Sequence, residues 1–178
     1  SGTNLKLRVK LPLAFALSLL LLTTGGAFGI FELNTAVASY QNDVLRQVAG
    51  HKKGAEISAL FATAVQEWKN VLLRGKDPND LKRYWNAHQA AMQEAGARLK
   101  ELDQLLAPAS PLRDDVAKLG AELQEAQAGY QAALHAYKSS GFDPNAGDTA
   151  AKGLDREAMA ILSELRAKLS SAEIQADE

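Results

Sequence analysis

Cysteine is missing from all 178 residues, so neither a disulfide framework nor a thiolate metal site can form, and an oxidising compartment is neither required nor excluded. Aromatic residues are scarce, at 6%, while Ala, Leu, Glu, Gln and Lys abound, which favours helix throughout. Catalytic patterns are also lacking. His51, His88 and His135 form no His-x-x-x-His or Glu-x-x-His pair, and no Gly-rich phosphate loop occurs. Asp114 with Asp115, and Asp155 with Glu157, read as ordinary first-turn charges near helix starts. These absences argue against an enzyme and call for no metal or cofactor. The net charge of −1 hides an asymmetry, because no acid precedes Glu32 and the residues from there on carry 21 acids against 17 Lys and Arg. A chain with that balance is not expected to bind nucleic acid.

What the sequence does have begins with Leu11 to Phe31, 21 residues without a charged side chain, where about 20 apolar residues suffice to span a bilayer as a helix. Lys6, Arg8 and Lys10 precede it and no basic residue follows until Arg46, so the positive-inside bias leaves the N-terminus in the cytoplasm. The predicted organisation is a cytoplasmic N-terminus at 1–10, a transmembrane helix at 11–31 and an external domain at 32–178. A cleaved signal peptide ending near Ala36-Val37-Ala38 is the alternative, but the apolar run exceeds the usual signal core.

Between Glu32 and Arg74 there is no proline, and Ile57, Phe61, Ala64, Trp68 and Val71 repeat at helical spacing, flanked by Leu60, Val65 and Leu72. Gly50 and Gly54 read as a flexible or poorly packed section. A second helix is expected from Pro78 to about Leu106, with Leu81, Trp85, His88, Met92, Ala95, Leu99, Leu102 and Leu106 inward. Ser110 and Pro111 start a third, running to about Ser139, with Leu112, Val116, Leu119, Leu123, Ala126, Tyr130, Ala133 and Tyr137 inward. Ser139 to Asp148 reads as the longest loop, followed by a fourth helix with Leu154, Ala158, Ile161, Leu165, Leu169 and Ala172 inward. The pattern predicts an all-α, up-down-up-down antiparallel four-helix bundle after the membrane helix. The first helix outruns its neighbours, so the fourth is expected to continue past Glu178 toward a second membrane helix, making this chain a fragment.

The tip between the first two helices is sharply signalled. Gly75 suits a left-handed position, Asp77 an N-cap, Pro78 the first helical position, and Asp80 the first turn. Antiparallel packing is expected to gather Trp68, Trp85, His88, Tyr130 and Tyr137 at one level, with Tyr84 and Phe142 nearby and Lys69, Arg74, Arg83, Lys138, Lys152 and Arg156 around them. Aromatic walls with converging cations suit a small carboxylate, which Arg grips through parallel hydrogen bonds. The candidate ligand-binding residues are Trp68, Lys69, Arg74, Arg83, Tyr84, Trp85, His88, Tyr137 and Arg156. Each has a plainer reading beside this one: the tryptophans, tyrosines and His88 as core, the cations as solvated or paired surface charges.

The basic N-terminus, one membrane helix, the stretch WKNVLLRGKDP, the following LKRYW and the later FDP and GDTAAKGLDRE segments together resemble the extracytoplasmic four-helix-bundle sensor of bacterial methyl-accepting chemotaxis proteins. The resemblance implies a homodimeric inner-membrane receptor with its sensor in the periplasm and its signalling module outside this fragment. Where aspartate-sensing members carry arginines on the first helix, this chain has Gln66, Lys69 and Asn70, with Arg74 only at the helix end. The resemblance therefore points to other acids, such as malate or citrate, bound at the membrane-distal end. The same ectodomain could serve a histidine kinase or cyclase, and a membrane-anchored helical adaptor using Leu60, Val65 and Leu72 as a docking face is a further alternative.

Overall fold

The computed structural model describes the backbone of residues 2–176 and the side chains of residues 6–171. Ser1, residues 177 and 178, and the side chain of Ala172 lie outside the described residues. Among those described there is no strand. Five helices follow one another: α1 (Gly2–Arg74), α2 (Pro78–Leu105), α3 (Leu112–Ser139), α4 (Pro144–Ala151) and α5 (Arg156–Ala176). The chain divides into two units, Ser1–Asp43 and Val44–Glu178, with α1 contributing to both.

In the first unit the apolar side chains are exposed, Leu13 at 66% and Leu22 at 73% among them. By length and composition, α1 is long and apolar enough to cross a membrane. The hydroxyls of Ser18, Thr23 and Thr24 donate back to the carbonyls of Ala14, Leu19 and Leu20, one turn earlier. These three hydroxyls therefore need no water, as suits a helix in hydrocarbon.

The second unit holds the core. Ile57, Phe61, Ala64, Trp68 and Val71 are buried on α1, and the expected inward rows of α2 and α3 are buried or half-buried along their whole length. α3 is the central element, packing against α2, α4 and α5. On α5, Leu162 is buried beside the half-buried Ile161, so the apolar face is wider than the predicted row. Cross-helix ion pairs fix the register: Lys53 meets Glu101, Arg98 meets Glu56, and Lys168 meets Asp115.

Three expectations are corrected. The segment read as a long loop contains α4, because Asp143 accepts a hydrogen bond from the Asn145 amide and Pro144 begins the helix, the same device that starts α2 at Asp77 and Pro78. Leu154 therefore lies in the turn before α5, not on the final helix. Gly75 is not left-handed: positive φ occurs at Gly141, Gly153 and Phe142, the last at 65°. A Cβ on Gly75 would instead run into the Val71 carbonyl and lie 3.0 Å from the Tyr137 ring, so crowding selects glycine there. Gly50 and Gly54 are buried, and a Cβ on Gly54 would come within 3.2 Å of Arg166, so this is a close helix approach, not a loose section.

Candidate functional site

Four rings from three helices make the aromatic centre. Trp68 of α1 meets Trp85 of α2 edge-on at 6.2 Å between centroids and Tyr130 of α3 at 5.5 Å. His88 stacks on Trp85 at 5.1 Å and meets Tyr130 at 4.5 Å. Helical spacing produces this arrangement, since residues 85 and 88 share one face of α2. The indole Nε1 of Trp68 is buried with no hydrogen-bond partner among the described residues.

His88 is 1% exposed, and its Nδ1 donates to the Ala64 carbonyl of α1 at 2.7 Å. A carbonyl can only accept, so the proton sits on Nδ1 and the neutral ring leaves a lone pair on Nε2. Burial lowers the pKa of His88 below its ordinary value, against opposing contributions from the Ala64 bond and the Glu67 carboxylate. Burial also pushes the Tyr130 hydroxyl up to about 12, with Asp155 adding to the effect.

The pH consequence has a definite sign. A histidine whose folded pKa is depressed takes up its proton first in the unfolded chain, so its stabilising contribution is complete above the ordinary value near 6.5 and is lost as pH falls below it. Denaturant melts between pH 7 and 5 should show stability falling by at most about 1.4 kcal/mol per pH unit from this group. The His88→Gln variant should show a flatter profile; an unchanged profile would remove His88 as its cause.

Beside the rings lies a cavity of ≈ 130 Å³ with Trp85, His88 and Met92 as its apolar and aromatic side. Gln89 and Gln93 of α2 and Gln127 and Gln131 of α3 line the rest, and no charged side chain does. These four glutamines were not among the residues singled out from sequence. Their signal is legible in retrospect, as two polar pairs spaced four apart on helices whose inward rows face each other.

The cations are elsewhere. Arg74 and Arg83 both lie against Tyr84, with guanidinium carbons 5.9 and 5.4 Å from the ring centroid, and Arg74 donates to the Tyr84 hydroxyl at 3.3 Å. Neither has a carboxylate partner among the described residues. At 100° per residue, Arg83 stands roughly 200° round α2 from Trp85. Tyr137 is 1% exposed, donates to the Leu72 carbonyl at 3.2 Å and meets Phe142 at 5.5 Å. Lys69 and Arg156 are exposed and join neither group. The candidate residues thus form a buried cluster of Trp68, Trp85 and His88, a cationic patch of Arg74, Arg83 and Tyr84, and Tyr137 paired with Phe142. No group of three or more His, Asp or Glu residues suited to a metal ion occurs among the described residues.

Over 172 residues, 95% of its length, the chain is 31% identical to the methyl-accepting chemotaxis protein CtpH of Pseudomonas aeruginosa. It spans 29% of that relative's length. No family model matches the chain, and no solved structure matches it.

Proposed function

We propose that this chain is the ligand-sensing part of a transmembrane chemoreceptor, anchored in a bacterial inner membrane by residues 11–31, with residues 1–10 in the cytoplasm and 32–178 forming a homodimeric periplasmic domain. Similarity to a chemotaxis receptor along nearly the whole chain supports that reading, as does an apolar helix long enough to cross a bilayer. The domain is read as an antiparallel four-helix bundle of α1, α2, α3 and α5, with α4 as an insertion. The pairings support this order: Trp68 with Trp85 near the turn and Lys53 with Glu101 farther along fit an α1 and α2 that run in opposite directions.

The ligand class is a small organic acid, a di- or tricarboxylate such as malate or citrate. One observation carries this choice: two guanidinium groups share the Tyr84 ring at the α1–α2 turn, and neither forms an ion pair among the described residues. Paired arginines held by an aromatic ring are pre-set for bidentate carboxylate binding. Lys69 and Arg156 are further cations of the same domain that can steer an anion. Such a ligand signals only if it binds one helix arrangement better than another. We assign the response to α5, as a shift of about 1–2 Å against α3.

Calorimetric titration of the chain in lipid nanodiscs with malate, citrate and succinate tests the assignment. Each lost charge-assisted contact is worth about 1.5–3 kcal/mol, so Arg74→Ala and Arg83→Ala should each weaken acid binding roughly ten- to hundredfold. Absence of binding by every acid, or affinities indifferent to both substitutions, would refute it.

A further inference from the structure

We propose that the cavity between α2 and α3 is a second binding site, for a small uncharged molecule bearing several hydroxyl groups. Its volume, ≈ 130 Å³, compares with the about 10–15 Å³ that a single water needs, so it admits an organic molecule of several heavy atoms. The lining decides the chemistry. A carboxylate placed there would meet no cation to grip it. Arg83 is turned to another face of α2.

A hydroxyl compound meets no such obstacle. With Nδ1 committed to the Ala64 carbonyl, His88 Nε2 faces away from α1 as an acceptor, and it has no hydrogen-bond partner among the described residues. A ligand there must therefore donate. Each glutamine offers one carbonyl and two N–H groups, and a hydroxyl both donates and accepts, so it can bridge amides on the two helices. Trp85 supplies an aromatic face for the ligand's C–H surface, the usual complement to a few fixed polar groups in a small-molecule site. This site is independent of the cationic patch at Tyr84, and a molecule spanning α2 and α3 has its own means of favouring one helix arrangement.

Calorimetry on the chain in nanodiscs with erythritol and ribose as probes, and malate for comparison, tests it. Saturable binding of either probe is expected. It should weaken about tenfold or more when Gln127→Leu and Gln131→Leu remove hydrogen bonds from one wall. Because Gln131 is exposed and Gln127 half-buried, these variants should keep their helical circular dichroism. Arg74→Ala and Arg83→Ala should leave probe binding unchanged. No heat above dilution with either probe would overturn the proposal, as would probe binding indifferent to the glutamine substitutions, or malate binding that disappears with them.

Discussion

Trp68→Ala should lower the stability of the helical domain by about 3–5 kcal/mol, measured as the shift in a urea transition followed by far-ultraviolet circular dichroism. Trp68 is 4% exposed, and its ring lies against side chains of α2 and α3 as well as its own helix, so truncation opens a void bounded by elements that cannot all close on it. Trp68→Phe separates packing from polarity. It keeps a ring in the same place and deletes the buried N–H that has no partner, a group whose isolation costs about 1–3 kcal/mol. That relief offsets part of the lost contact area, so the phenylalanine variant should sit much closer to the parent than to the alanine variant. Equal damage from both would show that the indole N–H is stabilising.

The second large effect is at Tyr137. Tyr137→Ala should also cost about 3–5 kcal/mol, because the ring is 1% exposed and lies close against Gly75 and Phe142. It ties the α1–α2 turn to the α3–α4 connection through the Leu72 carbonyl and Phe142. Tyr137→Phe removes only the hydroxyl and should cost about 1 kcal/mol. Hydrogen exchange would localise the alanine effect: amides of α4 should lose protection before those of central α3. Uniform loss across all helices would mean that Tyr137 supports the core as a whole and not this junction.

The parts of the fold that could be read from sequence are those set by local periodicity. Rows such as Leu81, Trp85, His88 and Met92 repeat because α2 turns every 3.6 residues, and the structure buries or half-buries them all. Turns were harder, because one short motif has several outcomes. Asp77-Pro78 precedes a long periodic stretch that marks it as a helix start, whereas Asp143-Pro144 precedes only eight residues of helix, too few for a periodic pattern. Sequence favours for Gly75 the left-handed role common for a glycine after a helix, yet its amide still bonds to the Val71 carbonyl at 2.7 Å, and a Cβ would meet that carbonyl first and the Tyr137 ring next, at 3.0 Å. Tyr137 lies 62 residues beyond Gly75, a separation that no local pattern reports.

The candidate site was legible in composition more than in arrangement. Grouping Trp68 with Trp85 and His88 followed from helix register, and these rings do touch. Placing Arg83 with them did not allow for the roughly 200° between positions 83 and 85. Gln89, Gln93, Gln127 and Gln131 carry no charge to mark them in the sequence, and that neutrality gives the cavity its character.

One small irregularity bears on how the aromatic end responds to change. Phe142 follows Gly141 in left-handed backbone, at φ 65° after 76°, a conformation that strains an ordinary side chain by about 1–2 kcal/mol. Such strain lasts only while neighbouring contacts impose it, and here the hydrogen bond from the Phe142 amide to the Tyr137 carbonyl, at 2.9 Å, and the ring contact with Tyr137 do so together. The junction is therefore sprung. Anything that displaces the Tyr137 ring also frees Phe142 to relax, so the shortest helix is held by a latch whose release is favoured from within its own backbone.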